Sequence, residues 1–248
     1  MEIVLRENER IDDLQFKGLK IIQNTKKFCF GMDAVLLSHF ADVRKGDRVV
    51  DLGTGTGIIP ILLAGRNEVD RVYGIEIQSE MAEMAQRSVK LNHLEDKIKI
   101  IEADLKEAPA YLGKGKFDLV ICNPPYKKLG SGLLNPHDSK AIARHELLCS
   151  LQDVLEAAGK LLVNGGRFAM VHQTDRLVEI LYGMREVKLE PKRIRLIHPS
   201  AEKPPNLMLI EGVRNGKPHL KWMPSLFVYD RDGNYTEEIK RIYAGEEA

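Results

Sequence analysis

Three carboxylates, three glycines and one stiff corner carry the chemical promise of this chain. The corner is Asn123-Pro124-Pro125-Tyr126, directly after the apolar run Phe117-Asp118-Leu119-Val120-Ile121-Cys122. Such a run reads as a buried strand. Each proline fixes its own φ and restricts the residue before it, so the chain turns rigidly there. An amide, a proline carbonyl and an aromatic ring are thus held where a strand ends, the place where open α/β sheets bind ligands. A flat, nitrogen-bearing substrate could stack on Tyr126 and donate hydrogen bonds to Asn123. Taken alone, the four residues also describe an ordinary Pro-Pro turn.

The glycines lie upstream, in Val49-Val50-Asp51-Leu52-Gly53-Thr54-Gly55-Thr56-Gly57, and run into the helical pattern Ile58-Ile59-Pro60-Ile61-Leu62-Leu63-Ala64. Glycine permits a tight turn and close approach of a ligand to the backbone, and the following helix points its N-terminal amides at the loop. The Gly-Lys-Ser/Thr of a P-loop is absent, and Gly-x-Gly-x-Gly departs from the dinucleotide spacing Gly-x-Gly-x-x-Gly. Asp51 suits a cationic or amino-bearing ligand better than a pyrophosphate. Glu76 ends the next strand, Arg71-Val72-Tyr73-Gly74-Ile75-Glu76, about 20 residues on, the distance at which a ribose diol is gripped. An ionised carboxylate only accepts, so Glu76 fits two hydroxyls. Asp104 follows a third strand, Ile98–Glu102, where it could accept from an adenine amino group.

In this series of motifs the chain resembles the class I S-adenosylmethionine-dependent methyltransferases. The resemblance implies that Asp51, Gly53, Thr54, Gly55 and Gly57 pass under the methionine part of the cofactor. It implies that Glu76 holds the ribose, and that Ile77, Asp104 and Leu105, with Asn123, complete the cofactor site. Asn123, Pro124 and Tyr126 would then be the catalytic set of an amino-group methyltransferase acting on adenine, guanine or glutamine nitrogen. The chain is similar in particular to the small-domain enzymes that modify the adenine beside the anticodon of a valine tRNA. That similarity rests on Phe28-Cys29-Phe30-Gly31-Met32-Asp33-Ala34-Val35-Leu36-Leu37, on Ala143-Arg144-His145-Glu146 and on Arg231-Asp232-Gly233-Asn234-Tyr235-Thr236-Glu237. It implies tRNA as partner and adenine N6 as acceptor. A release-factor-type glutamine methyltransferase, a guanine-N2 methyltransferase of ribosomal RNA and a non-catalytic cofactor-binding scaffold remain alternatives.

Candidate RNA contacts are Lys127 and Lys128, which open a polar stretch over 127–140 read as a flap on the target base. Arg144 and His145 are others, as are Lys192, Arg193 and Arg195, whose charges could follow a phosphate backbone. A solvated, lysine-guarded sheet edge explains the last three nearly as well. The whole chain offers no global field for nucleic acid: 37 basic residues face 36 acidic ones, for a net charge of +1.

The elements that must position these residues follow from periodicity. Strands and helices alternate to about residue 183, which predicts a mostly parallel, seven-stranded Rossmann-like α/β sheet with helices on both faces. A fifth strand is expected over 167–171, behind a Gly165-Gly166 turn. An antiparallel hairpin over 193–198 and 206–213 is expected at the sheet edge. One domain, 1–248, is expected, with a lead-in over 1–45 that holds a helix from Asp33 to Phe40, and a catalytic core over 46–248. The three cysteines, Cys29, Cys122 and Cys149, have no metal-ligand spacing, so no metal is expected. The charged start, Met1-Glu2-Ile3-Val4-Leu5-Arg6-Glu7, is no signal peptide, and no apolar run is long enough for a membrane span, so a cytoplasmic enzyme is expected.

Overall fold

The computed structural model describes residues 4–27, 29–66, 68–124 and 149–246. It begins with a two-stranded hairpin, β1 (Glu9–Asp13) and β2 (Lys20–Asn24), and helix α1 (Met32–Phe40). Alternation then sets in: β3 (Arg48–Leu52), α2 (Ile58–Arg66), β4 (Arg71–Glu76), α3 (Ser79–Leu91), β5 (Ile98–Glu102), α4 (Ala108–Leu112) and β6 (Phe117–Cys122). After the undescribed segment come α5 (Leu151–Leu161), β7 (Leu162–Gln173), α6 (Leu177–Glu186), β8 (Leu189–His198) and β9 (Leu207–Arg214). The two-residue strands β10 (Lys221–Trp222) and β11 (Leu226–Phe227) and helix α7 (Glu237–Ala244) close the chain.

The central sheet runs β10-β8-β9-β7-β6-β3-β4-β5, with β11 also on β8. Its seven long strands are the predicted ones, and β10 and β11 raise the count to nine. Strand β9 is antiparallel to both β7 and β8, so β8 returns parallel to β7, β6, β3 and β4. The expected hairpin is therefore present, with its outer strand flanked in turn by the two short ones. Strand β7 starts earlier than expected. Leu162 pairs with Phe117, the register slips, and the ladder resumes at Leu119 with Arg167. Gly165, at φ +79°, takes up the slip inside the strand.

Helices cover both faces, which is why the strands read as unbroken apolar runs. In β6, Leu119 and Ile121 pack on one side with α1, α2 and α7 residues. Val120 and Cys122 pack on the other with α5 and α6. Helix α2 is apolar all round, and Ile61, Leu62 and Leu63 are buried between sheet and α1. Pro60 lies in its first turn, where a missing N–H breaks no helical bond. Helix α5 opens on a capping box: the Ser150 hydroxyl accepts from Asp153 N–H while the Asp153 carboxylate accepts from Ser150 N–H.

The β1–β2 hairpin is the element that the sequence pattern did not reveal. Ile21 and Ile22 are both fully buried, so the strand shows no alternation. It lies on α3: Ile22 N–H donates to Ser88 Oγ at 3.0 Å and Lys20 N–H to Asn92 Oδ1 at 2.8 Å. Arg87 donates to both carboxylate oxygens of Glu9, at 2.7 and 2.6 Å, and holds that acid below its ordinary range. The hairpin thereby fixes α3 against the start of α2, where Gly57 meets Ala85.

Gly57 sits at φ +86°, and a Cβ built on it would lie 3.2 Å from the Ala85 Cβ. Gly53 is equally left-handed, at φ +77°, but a Cβ there would meet nothing within 4 Å. Left-handed backbone costs an L-residue about 1–2 kcal/mol. Ligand-free Gly57→Ala should therefore melt lower than Gly53→Ala in differential scanning calorimetry, because it adds a close contact to the same strain. For a chain this size each kcal/mol moves the midpoint by about 2–4 °C. Equal losses would mean that the α2–α3 contact has room to yield.

Candidate functional site

Ladder register assembles the site. Leu52 pairs with Ile75 on one side and Cys122 on the other, and Glu76 pairs with Glu102. Four parallel strands therefore stop at one level. Gly53, Ile77, Ala103 and Asn123 all leave the sheet at the same carboxyl edge, where backbone groups lose their ladder partners. The segments drawn together there are the ones predicted from sequence: the Asp51–Gly57 loop, Glu76 with Ile77, Asp104 with Leu105, and Asn123 with Pro124.

The loop after β3 is tied back at two points. Gly53 and Thr54 N–H both donate to the Ile75 carbonyl at 2.9 Å. The Glu76 side chain, 5% exposed, accepts from Gly55 N–H at 3.0 Å through one oxygen and from Gln78 N–H at 2.9 Å through the other. One carboxylate thus fixes the glycine loop and the turn after β4 together. The Oε1 oxygen also accepts from Gln78 Nε2 at 3.4 Å, while the Oε2 oxygen on Gly55 keeps lone-pair capacity for a ligand hydroxyl. The open space beside Gly53 lets a ligand reach the loop backbone.

Asp51 is fully buried, and neither of its oxygens has a hydrogen-bond partner among the described residues. The buried Thr54 hydroxyl is likewise without one. Burial pushes the Asp51 carboxyl up to about 7, the Glu76 charge adds to the rise, and the nearby Thr54 hydroxyl opposes it. A buried carboxylate in this state calls for a cationic or strongly donating ligand group.

Asp104 caps the short turn after β5, accepting from Lys106 N–H at 2.9 Å, with Lys106 Nζ 3.2 Å from its other oxygen. Ile77 is 39% exposed at the same edge and offers an apolar seat for a flat ring. Asn123 and Pro124 are half-buried at the end of β6. Behind them the Cys122 thiol donates to the Leu52 carbonyl at 3.0 Å, and burial pushes it well above its ordinary range, so it packs rather than reacts.

His172 was not singled out in the sequence. Met170 is the β7 partner of Cys122, and His172 lies two residues further along β7, toward the same carboxyl edge. Its ring is buried, and its Nδ1 accepts from Gln173 N–H at 2.8 Å, which leaves the ring proton on Nε2. Burial, with Arg176 nearby, pushes it down to about 4, so it is neutral at pH 7. A histidine closing an apolar strand run was the available signal.

Of the expected substrate contacts, Lys127, Lys128, Arg144 and His145 lie outside the described residues, as does Tyr126 of the catalytic set. The β8 cations are placed differently from the expectation. Arg193 donates to Glu211 at 2.6 and 3.1 Å and to the Phe40 carbonyl at 3.1 Å, with its guanidinium 4.8 Å from the Phe40 ring. Arg195 pairs with Glu238 of α7 and donates to the Pro224 carbonyl at 3.0 Å. Lys192 Nζ donates to the Lys217 carbonyl. Arg193 and Arg195 thus fasten the outer strands and α7 to the sheet, while Lys192 is tied only to a backbone carbonyl at the surface.

Residues 25–193 match the methyltransferase small domain. A tRNA1(Val) (adenine(37)-N6)-methyltransferase of Porphyromonas gingivalis is 30% identical over 93% of both chains. The enzyme of the same description from Parabacteroides distasonis is 32% identical over 79% of this chain and 81% of its own. Among solved structures, a predicted O-methyltransferase of Agrobacterium tumefaciens superposes with a TM-score of 0.70 at 24% identity, covering 87% of this chain and 97% of that one. A geranyl diphosphate methyltransferase in complex with SAM superposes with a TM-score of 0.54 at 18% identity, covering 73% and 84%. These two likenesses are of fold.

An acid whose folded pKa is raised from 3.8 to about 7 weakens the fold as it ionises. Ligand-free protein should lose this contribution as pH rises from about 4 to about 7. Asp51→Asn cannot ionise, so its melting temperature should gain on the wild type between pH 5 and pH 8. An unchanged gap across that range in calorimetry would show that Asp51 does not titrate in the fold.

Proposed function

Because the chain belongs to the methyltransferase small-domain family, we propose that it transfers a methyl group from S-adenosylmethionine to the N6 amino group of an adenine in tRNA. The observation that carries this reading is the meeting of the Asp51–Gly57 loop, Glu76, Asp104 and the Asn123-Pro124 corner at one level of one sheet edge. The substrate is supported by relatives of that description that match over 93% and 79% of the chain.

The site suits the donor group by group. The partnerless, buried Asp51 carboxylate would face its ammonium, directly or through water. Glu76 would take the ribose hydroxyls, Asp104 the adenine amino group, and Ile77 and Leu105 the adenine ring. The loop over Gly53, Thr54, Gly55 and Gly57 would carry the methionine portion against its backbone. When bound, the cofactor supplies an electrophilic methyl group on a sulfonium.

The chain's own task is to aim the nitrogen. An exocyclic amine is a weak nucleophile because its lone pair is shared with the ring. Accepting its two N–H groups at the Asn123 side-chain oxygen and the Pro124 carbonyl favours a pyramidal nitrogen with its lone pair turned toward the methyl. Alignment of this kind is worth up to about 7–11 kcal/mol. Both oxygens also gain interaction energy as the nitrogen becomes positive. No general base is needed, since the methylated nitrogen is acidic and releases its proton to water. Tyr126 would hold the ring by stacking, and a base within an RNA stack must first be splayed out.

Incubation with labelled donor should mark tRNA and leave release factor unmarked, and nucleoside mass spectrometry should identify N6-methyladenosine. Label in protein, or in guanosine, would replace the substrate named here. Asn123→Ala should lower the turnover rate about 10²-fold or more, the scale of losing one preorganised polar contact to a developing charge. Donor affinity should change far less. Full activity in that variant contradicts the mechanism.

A further inference from the structure

The stretch from Tyr229 to Thr236 takes no part in the catalytic corner, yet it is built with care. Tyr229, Tyr235 and Tyr243 form a column: the first two rings stack at 5.4 Å and 20°, the second pair at 6.0 Å and 12°. An antiparallel bridge joins Tyr229 to Tyr235. Asp230 Oδ1 fixes the turn between them, accepting from Asp232 and Asn234 N–H at 2.9 Å each. Thr236 caps α7 and donates its hydroxyl to the Phe227 carbonyl at 2.7 Å. Tyr243 is seated against the core, where burial pushes it up to about 12. A rigid column with one anchored end leaves Tyr229 and Tyr235 each 40% exposed. Burying such rings would be the default for a purely structural aromatic cluster.

Tyr229, the terminal ring, also lines an open cleft of about 640 Å³ with Pro199, Ser200, Lys203 and Arg231. The Arg231 side chain is 91% exposed, and its acidic neighbour Glu202 is 3.8 Å away. The cleft's other acid, Asp230, is engaged by the turn. Local charge is therefore balanced, and what distinguishes the cleft is a flat ring beside two cations.

Its place matters as much as its lining. Strand β8 runs parallel to β6, so Pro199 leaves at the same carboxyl edge as Asn123. Tyr229 follows β11 at that edge too, its N–H donating to the Pro199 carbonyl at 2.9 Å. Three strand spacings separate β8 from β6, or about 14 Å at about 4.8 Å each. Single-stranded RNA delivering one base to the corner would reach the cleft with a nucleotide close by in the same loop. Unpaired bases are typically held by stacking on aromatic side chains.

We propose that this cleft binds an unpaired nucleotide of the RNA substrate, its base stacked on Tyr229 and its phosphate beside Lys203 and Arg231. The inference rests on the RNA reading given above and adds a second contact point to it.

The test is direct binding, by fluorescence anisotropy, of a labelled RNA hairpin with adenine in its loop, to wild type, Tyr229→Ala and the exposed double variant Lys203→Glu/Arg231→Glu. Melting temperature, donor affinity and methylation are measured in parallel. Tyr229→Ala should weaken the hairpin about 5- to 150-fold, the size of a stacking loss of about 1–3 kcal/mol at about 1.4 kcal/mol per tenfold. The double variant should weaken it also. Tyr229→Phe should restore binding, and donor affinity and turnover at saturating RNA should hold. Unchanged binding in folded Tyr229→Ala and in the double variant overturns the proposal. So does a free mononucleotide that competes as well as the hairpin, which would assign the cleft to a small ligand. Hairpin binding that depends on Tyr229 without any methylation would keep the cleft and sink the adenine-methylation reading. A wild type that binds no RNA would sink both.

Discussion

Everything at the site depends on four parallel strands ending at one level. A strand slipped by one residue would carry its loop about 3.3 Å along the sheet and turn its side chains to the other face. Pairing of Leu52 with both Ile75 and Cys122 excludes that slip. Strand ends are also where backbone groups lack sheet partners, and here they are shared between neighbours. The Ile75 carbonyl accepts from Gly53 and Thr54, and the Glu76 carbonyl from Ala103. The loops after β3 and β5 are thus both anchored on the end of β4. A ligand lying along the edge would touch a single rigid rim rather than four independent loops.

That rim is electrostatically unfinished. Glu76 balances its burial with two backbone donors, whereas Asp51 has none among the described residues. Burial pushes the Asp51 carboxyl up to about 7, and the nearby Glu76 charge adds to the cost of ionising it. Strain of this kind is a stability loss accepted at a binding site, to be offset by the ligand's own charge. The cysteine between the strands shows the contrast: Cys122 is equally buried but bonded to Leu52, and it does nothing but pack.

Much of this could be read from residue types, because the signals are local. Gly-x-Gly-x-Gly with Asp51 before it, an acid closing each of two strands, and Asn-Pro-Pro after a third each occupy fewer than ten residues, and the alternation of strands and helices then forces them to one edge. Long-range facts stayed hidden. Arg193 and Arg195 look like surface cations until the fold brings Glu211, 18 residues away, and Glu238, 43 away, against them. Ile21 and Ile22 gave no strand signal because both faces of β2 are covered. His172 comes to lie two residues past the β7 partner of Cys122 only through the bulge that sets the β6–β7 register.

The reassignment of the β8 arginines also changes how an RNA would be held. A chain with net charge +1 has no global field to draw in a polyanion, and two of the cations expected at phosphates, Arg193 and Arg195, are paired with Glu211 and Glu238. Short-range contact then adds to whatever local cations supply, and a stacked base gains as much at high salt as at low. A rigid aromatic column supplies such contact: its rings are ordered before binding, so little conformational entropy remains to be lost. Two such grips on one edge, a corner for the reacting base and a column for a neighbour, would select RNA by the spacing of its splayed nucleotides. Spacing is a property that neither a lone base nor a helical stack can imitate.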